Sequence, residues 1–298
     1  MTSDPRQGPI GSVCTLLALI RFSHTLFALP WALAGLVLGA GGWPEWAVLG
    51  WVLVAMVGAR TAAMTWNRLV DRHLDASNPR TAARPSVTGQ VTPVAMVVMV
   101  VVSAAIFVVA AYNLNPLCGA LSWPTLALLL LYSHTKRFTA GAHWVLGLGL
   151  GLSPVGAYLA ARGAFDLGAA AAGALGLAVT LWTAGFDILY ACQDIDHDRR
   201  EGLRSVPARL GIGGALNVAR GCHGLVPFAL LLAAWLGSLG AVYLGGVAVV
   251  AALLVWEHRL VRADDLSKVG QAFFQVNVLI AVVMLVATAA DVVTGGGS

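Results

Sequence analysis

The chain has 298 residues, 58% of them hydrophobic and only 11% charged, against roughly a quarter charged in ordinary soluble domains. A water-soluble core is therefore excluded, and a bilayer is the natural solvent: a spanning helix takes about 20 apolar residues and makes its backbone hydrogen bonds internally, so the expected fold is all-α and polytopic. The net charge of +4 does not indicate nucleic acid, because the basic residues fall in short separate loops and not along one stripe.

From the N-terminus, Met1 to Gly11 is polar without a basic n-region, and Arg21 and His24 interrupt the first apolar stretch, so a retained first helix is expected in place of a cleaved signal peptide. Apolar segments bounded by Gly, Pro, Asn or charge fall at residues 14–41, 45–68, 93–113, 116–134, 142–162, 167–190, 213–237, 240–257 and 271–291, nine predicted spans in one membrane domain covering 1–298. With an odd number of spans, the loops after helices 2, 4, 6 and 8 share the N-terminal side. Those loops carry nearly all the loop arginines and lysines, from Arg72, Arg80 and Arg84 through Lys136, Arg137, Arg199 and Arg204 to Arg259, Arg262 and Lys268, while the opposite loops carry almost only Arg162. The positive-inside rule then places the N-terminus and these loops in the cytoplasm, with the protein in the cytoplasmic (inner) membrane. Trp43, Trp46, Trp123 and Trp256 near span ends read as interfacial anchors, and Gly147, Gly149 and Gly151 as a close helix-packing seam. Cys14, Cys118, Cys192 and Cys222 show no disulfide or metal spacing.

A weak internal repeat relates residues 14–137 to 142–262, each half a predicted four-helix bundle, with the last helix 271–291 added. Its strongest trace is chemical. Asn67, Asp71 and Asp75 follow one another at about 40° around a helix, and so form one oxygen-bearing stripe. Asp187, Tyr190, Asp194 and Asp198 share a face in the second half, whereas Asp196 points elsewhere. Each cluster is followed by a basic, proline-containing loop: Arg80, Arg84 and Pro85 in the first, Arg204, Pro207 and Arg209 in the second. Carboxylates converging from two helix ends repel one another, and a hard divalent cation, Mg²⁺ or Ca²⁺, relieves the conflict. Mg²⁺ takes one or two carboxylates and leaves positions for phosphate, so the pattern implies a phosphate-bearing substrate held by Arg72, Arg80, Arg84, Lys136, Arg137, Arg199 and Arg204.

At these residues the sequence resembles the UbiA-type intramembrane aromatic prenyltransferases. Their NxxxDxxxD signature is matched by Asn67, Asp71 and Asp75, with Arg80 and Arg84 following, their YxxxD–DxxxD signature by Tyr190, Asp194 and Asp198, and their Lys-Arg pair by Lys136 and Arg137. The resemblance runs from about residue 15 to 290. It implies nine helices around a lipid-open central cavity, with Mg²⁺ held by Asn67, Asp71, Asp75, Asp194 and Asp198, and a polyprenyl diphosphate at the cytoplasmic mouth, contacted also by Tyr190 and the basic residues. Transfer of the prenyl group to an aromatic acceptor follows as the expected activity.

Arg60 lies seven residues before Asn67, on the same face and about 10 Å deeper, and Asp187 stands in the same relation to Asp194. Charges at that depth need a partner or a ligand. Either the two form an ion pair between the halves, or Arg60 anchors an acceptor carboxylate while Asp187 positions or deprotonates its phenolic hydroxyl. Arg21 and His24, one turn apart, are further candidates for the diphosphate or the acceptor entrance, against snorkelling and capping roles. The run from Arg21 to Pro30 and the stretch from Gly185 to Gly202 look most like the menaquinone branch that proceeds through futalosine, which favours 1,4-dihydroxy-6-naphthoate over 4-hydroxybenzoate as acceptor. A transporter is the alternative of another class, but it would place its charges near mid-membrane and seldom repeat DxxxD at one face. The DGxxAR-type core of the CDP-alcohol phosphotransferases is absent, and the composition excludes a soluble prenyl diphosphate synthase.

Overall fold

The computed structural model describes residues 25–262, 265–266 and 269–295, together with Thr15 and Leu19. Helices account for nearly all of this: α1 Thr25–Ala40, α2 Trp46–Val70, α3 Arg72–Ser77, α4 Pro93–Leu114, α5 Pro116–Thr135, α6 Ala142–Arg162, α7 Ala169–Ala191, α8 Ile195–Arg200, α9 Val206–Gly237, α10 Ala241–Leu260 and α11 Asn277–Thr294. Among the described residues the only β pairing is an isolated bridge between Arg262 and Asp265.

Local chemistry sets many of the ends. Thr92, Asn115 and Ser205 each accept a hydrogen bond from a backbone N–H in the first turn of the helix they precede, and a proline at one of the first two positions follows each, where its missing N–H costs nothing. Gly163 closes α6 in the left-handed region at φ 70°. Within α9, Gly211 has φ 71° and ψ 174°, a kink that joins a short first segment from Val206 to the long one that the predicted start at residue 213 marks.

Eight helices are long and apolar enough to cross a bilayer, while the apolar part of α1 covers Phe27–Ala40 and is shorter. Nine spans were expected; the first was to begin at residue 14, and most of its N-terminal part lies outside the described residues. The last span, expected at 271–291, runs Phe274–Thr294, and a π-helical turn at Ala272–Val276 leads into α11. Helix α7 is the most enclosed, packed between α6 and α9, while α1 lies against α6 and α11, and α2 against α4 and α5. Gly147 and Gly151 of α6 face the backbone of Thr180 and Gly176 on α7 so closely that a β-carbon has no room, as the predicted seam requires, whereas Gly149, the third residue expected there, meets the Leu129 side chain of α5 instead. Phe27, Trp31, Trp182 and Phe186 form an aromatic centre, with the Trp182 and Phe186 rings 4.9 Å apart in an edge arrangement. Outside, Val94, Val98, Val101 and Val102 of α4 are exposed, an apolar surface suited to lipid. The anchors Trp43, Trp46, Trp123 and Trp256 are exposed too.

Candidate active site

Both acidic motifs sit where a long helix breaks. Helix α2 stops at Val70, Asp71 follows at φ −91° and ψ 6°, and α3 begins at Arg72. In the second half α7 gives way to a tight turn at Cys192–Asp194, with Asp194 at φ −106° and ψ 8°, before α8. The two aspartates thus occupy the bridge region of backbone space, where many active-site residues are found. The expected continuous stripes are corrected accordingly: each motif bends at its middle aspartate, although the backbone ladder Asp71 to Asn67 and Asp75 to Asp71 persists at 2.9 and 2.8 Å.

The basic loops interlace the two clusters. Asp71, 3% exposed, accepts from Asn67 at 3.1 Å and pairs with Lys136 at 2.7 Å and Arg137 at 2.9 Å. Asp75 pairs with Arg84 at 2.6 Å and with Arg68 at 3.8 Å. From the loop after α3, Arg80 grips the Asp194 carboxylate through Nε at 2.9 Å and through Nη2, while its Nη1 donates to the Tyr190 hydroxyl at 3.0 Å. Asn78 donates to the same carboxylate at 2.9 Å. Burial opposes the Arg80 charge, but the hydrogen bond to Asp194, with Tyr190, Asp194 and Asp75 nearby, raises its pKa above the ordinary arginine value. Asp198 bonds the Ser205 hydroxyl and feels Lys136 and Asp194. Residues more than a hundred positions apart therefore meet on one face.

Three predicted phosphate donors are engaged elsewhere. Arg72 donates through Nε to the Ser86 carbonyl at 2.9 Å, and Arg199 to that of Ala208 at 3.1 Å. Arg204 holds the Phe138 carbonyl at 2.9 Å, tying two loops of the mouth together. Arg21 and His24 lie outside the described residues.

Beneath this mouth lies an apolar chamber of about 1380 Å³, counted together with the space at its open entrance, walled by α1, α2, α4, α5 and α6. Among the described residues lining it Arg60 is the only charged one, joined by Tyr132 and otherwise mostly by Ala, Leu, Met and Val. Asp187 is hydrogen-bonded to His143 at 2.7 Å. Sequence reasoning missed His143, Asn78 and Tyr132. A polar side chain inside an apolar run was the signal used for Arg60, and it applies to His143 as well.

Among the described residues no three His, Cys, Asp or Glu side chains are gathered into a ready metal cage. The donor chemistry nevertheless fits a hard cation. The oxygens belong to carboxylates and one amide, and Oδ2 of the buried Asp75 has no hydrogen-bond donor.

Fold and site together define an intramembrane enzyme for a substrate with a strongly anionic head and an apolar body. Residues 28–279 match the UbiA prenyltransferase family, and the chain belongs to it. A 4-hydroxybenzoate octaprenyltransferase of Methylobacillus flagellatus is 32% identical over 260 residues, 86% of either chain, and that of Aeromonas hydrophila is 34% identical over 259 residues, 85% of this chain and 87% of the relative. These relatives place the protein among the aromatic prenyltransferases. The apo structure of a UbiA homolog from Aeropyrum pernix K1 superposes with a TM-score of 0.81 at 33% identity, covering 90% of this chain and 98% of that one. A UbiA homolog from Archaeoglobus fulgidus, bound to GPP and Mg²⁺, shares the fold at a TM-score of 0.72 and 18% identity, with 94% of this chain and 99% of that one covered.

Proposed function

We propose that the protein transfers a polyprenyl group from its diphosphate to 4-hydroxybenzoate, in a Mg²⁺-dependent step of quinone biosynthesis at the cytoplasmic face of the membrane. The observation that carries this reading is the interlaced acidic and basic mouth above an apolar chamber into which Arg60 brings a charge. The curated relatives above are named for 4-hydroxybenzoate, which moves that acceptor ahead of 1,4-dihydroxy-6-naphthoate. Part of the run that favoured the naphthoate lies outside the described residues.

Asn67, Asp71, Asp75, Asp194 and Asp198 supply the oxygens that would hold Mg²⁺. When bound, the ion neutralises charge developing on the departing diphosphate. Arg80, Arg84, Lys136 and Arg137, now shared among the carboxylates, present N–H donors that phosphate oxygens entering the mouth recruit, and the Tyr190 hydroxyl adds one more. Arg72 and Arg199, held on backbone carbonyls, are assigned to the rim. Arg60 binds the acceptor carboxylate, and Asp187 takes the hydrogen bond or proton of the phenolic hydroxyl, which enriches the ring. The allylic C–O bond breaks with its electron pair leaving on diphosphate. A ring carbon beside the hydroxyl then uses its π pair to form the new C–C bond, and its proton passes to the departed diphosphate, which restores aromaticity. The apolar walls exclude the water that would otherwise capture the allylic cation.

Purified protein in lipid, given Mg²⁺, mixed polyprenyl diphosphates and both acceptors, should yield prenylated 4-hydroxybenzoate by mass spectrometry. A product from the naphthoate alone would replace the acceptor. Diphosphate release with no acceptor-dependent product would refute the transfer itself.

A further inference from the structure

The Asp187 carboxylate has a partner that fixes more than its charge. His143 is the second residue of α6, 4% exposed, and its Nδ1 lies 2.7 Å from Asp187 Oδ2 on α7. The other ring nitrogen, Nε2, accepts the backbone N–H of Val206 at 3.3 Å. Val206 is the first residue of α9, and its N–H is one of the donors a helix start leaves without an intrahelical acceptor. Because a backbone N–H can only donate, Nε2 must be the acceptor and the imidazole proton sits on Nδ1. The ring is thus held in one tautomer and donates to Oδ2. Among the described residues no hydrogen bond engages Oδ1, and the Asp187 side chain remains 28% exposed where that of His143 is 5% exposed.

We propose that His143 is a positioning residue for the prenyl-transfer reaction: its tautomer, set by the Val206 N–H, orients the Asp187 carboxylate so that Oδ1 faces the acceptor hydroxyl. With both ring nitrogens engaged, His143 is not itself the base. The arrangement also couples the Asp187 carboxylate to the start of α9, which the Arg204 backbone N–H ties to the Lys136 carbonyl at 2.7 Å. The phosphate side of the mouth and the acceptor side therefore share one rigid connection.

This inference rests on the reading that Asp187 acts on the acceptor, and the two are tested separately by a double-mutant cycle. His143→Leu should lower kcat on the order of 10- to 100-fold with the KM for polyprenyl diphosphate unchanged. His143→Asn, whose amide nitrogen can stand where Nδ1 stood, should recover most of that loss, and His143→Gln, which reaches Val206 but not Asp187, should recover little. In an Asp187→Asn background, His143→Leu should add less than about twofold, because the residue acts only through that carboxylate. An equal loss in both backgrounds, or recovery by Gln and not by Asn, overturns the positioning role and leaves His143 as a cap of α9. If Asp187→Asn has full activity toward the acceptor, the proposed role of Asp187 falls whatever His143 does. Should the leucine variant fail to fold in detergent, the asparagine and glutamine variants decide the question between them.

Discussion

Arg60 offers the most direct test of acceptor recognition. It sits seven residues below Asn67 on α2, about 10 Å into the bilayer from the acidic mouth, and is the one charged group that the described residues place in the chamber wall. A charge-assisted hydrogen bond to a buried carboxylate is worth about 1.5–3 kcal/mol, so Arg60→Ala should reduce kcat/KM for 4-hydroxybenzoate roughly 10- to 150-fold. The depth of the residue separates it from the phosphate donors, and KM for the polyprenyl diphosphate should move less than about twofold. The decisive comparison uses an acceptor lacking the carboxylate. Phenol should be a poor substrate of the native enzyme, and the substitution should barely affect it further. Steady-state assays with both acceptors complete the cycle, and an equal loss for phenol and 4-hydroxybenzoate would show that Arg60 shapes the chamber without reading the carboxylate.

Other consequences follow from single positions. Chelation of divalent ions should abolish turnover in the native enzyme and added Mg²⁺ restore it, whereas Asp75→Ala should stay inactive at any Mg²⁺ concentration; activity independent of chelator would contradict the assigned ligands. Arg80→Lys replaces a fork that meets both Asp194 oxygens and Tyr190 by a point charge, and should raise KM for the diphosphate about 10-fold or more with little change for the acceptor. A β-carbon at Gly185 overlaps the His223 ring, itself 3.1 Å from the Trp182 carbonyl and 3.0 Å from His258, so Gly185→Ala should destabilise by about 1–3 kcal/mol. Gly173→Ala, with open space around it on the same helix, is the control: thermal unfolding in detergent should show it neutral or up to about 1 kcal/mol more stable.

Much of this architecture was legible because bilayer length and proline, glycine and asparagine punctuation act locally. The segment at 142–162 coincides with α6, and Pro93 and Pro116 open α4 and α5 where the sequence places them. The convergence of Asp71, Asp75 and Asp194 with Arg80, Arg84, Lys136 and Arg137 was legible as well, since spacing and repetition carry chemical information. Other features depend on contacts that no local pattern encodes. The helix breaks at Asp71 and Asp194 lie inside motifs that read as unbroken stripes. His143 finds Asp187 across 44 positions, and a solitary histidine in an apolar run has no spacing to mark it. Arg72 and Arg199 show the converse, because proximity in sequence to an acidic motif did not decide where their guanidinium groups bond.

The glycine seam of α6 has an evolutionary consequence. Gly147 and Gly151 press backbone to backbone against α7, while Val145, Gly149 and Ser153 of the same helix look into the chamber. One helix thus separates two duties by its own periodicity. Substitutions on its inner flank can change the width of the chamber, while the opposite flank keeps the close approach of α6 to α7.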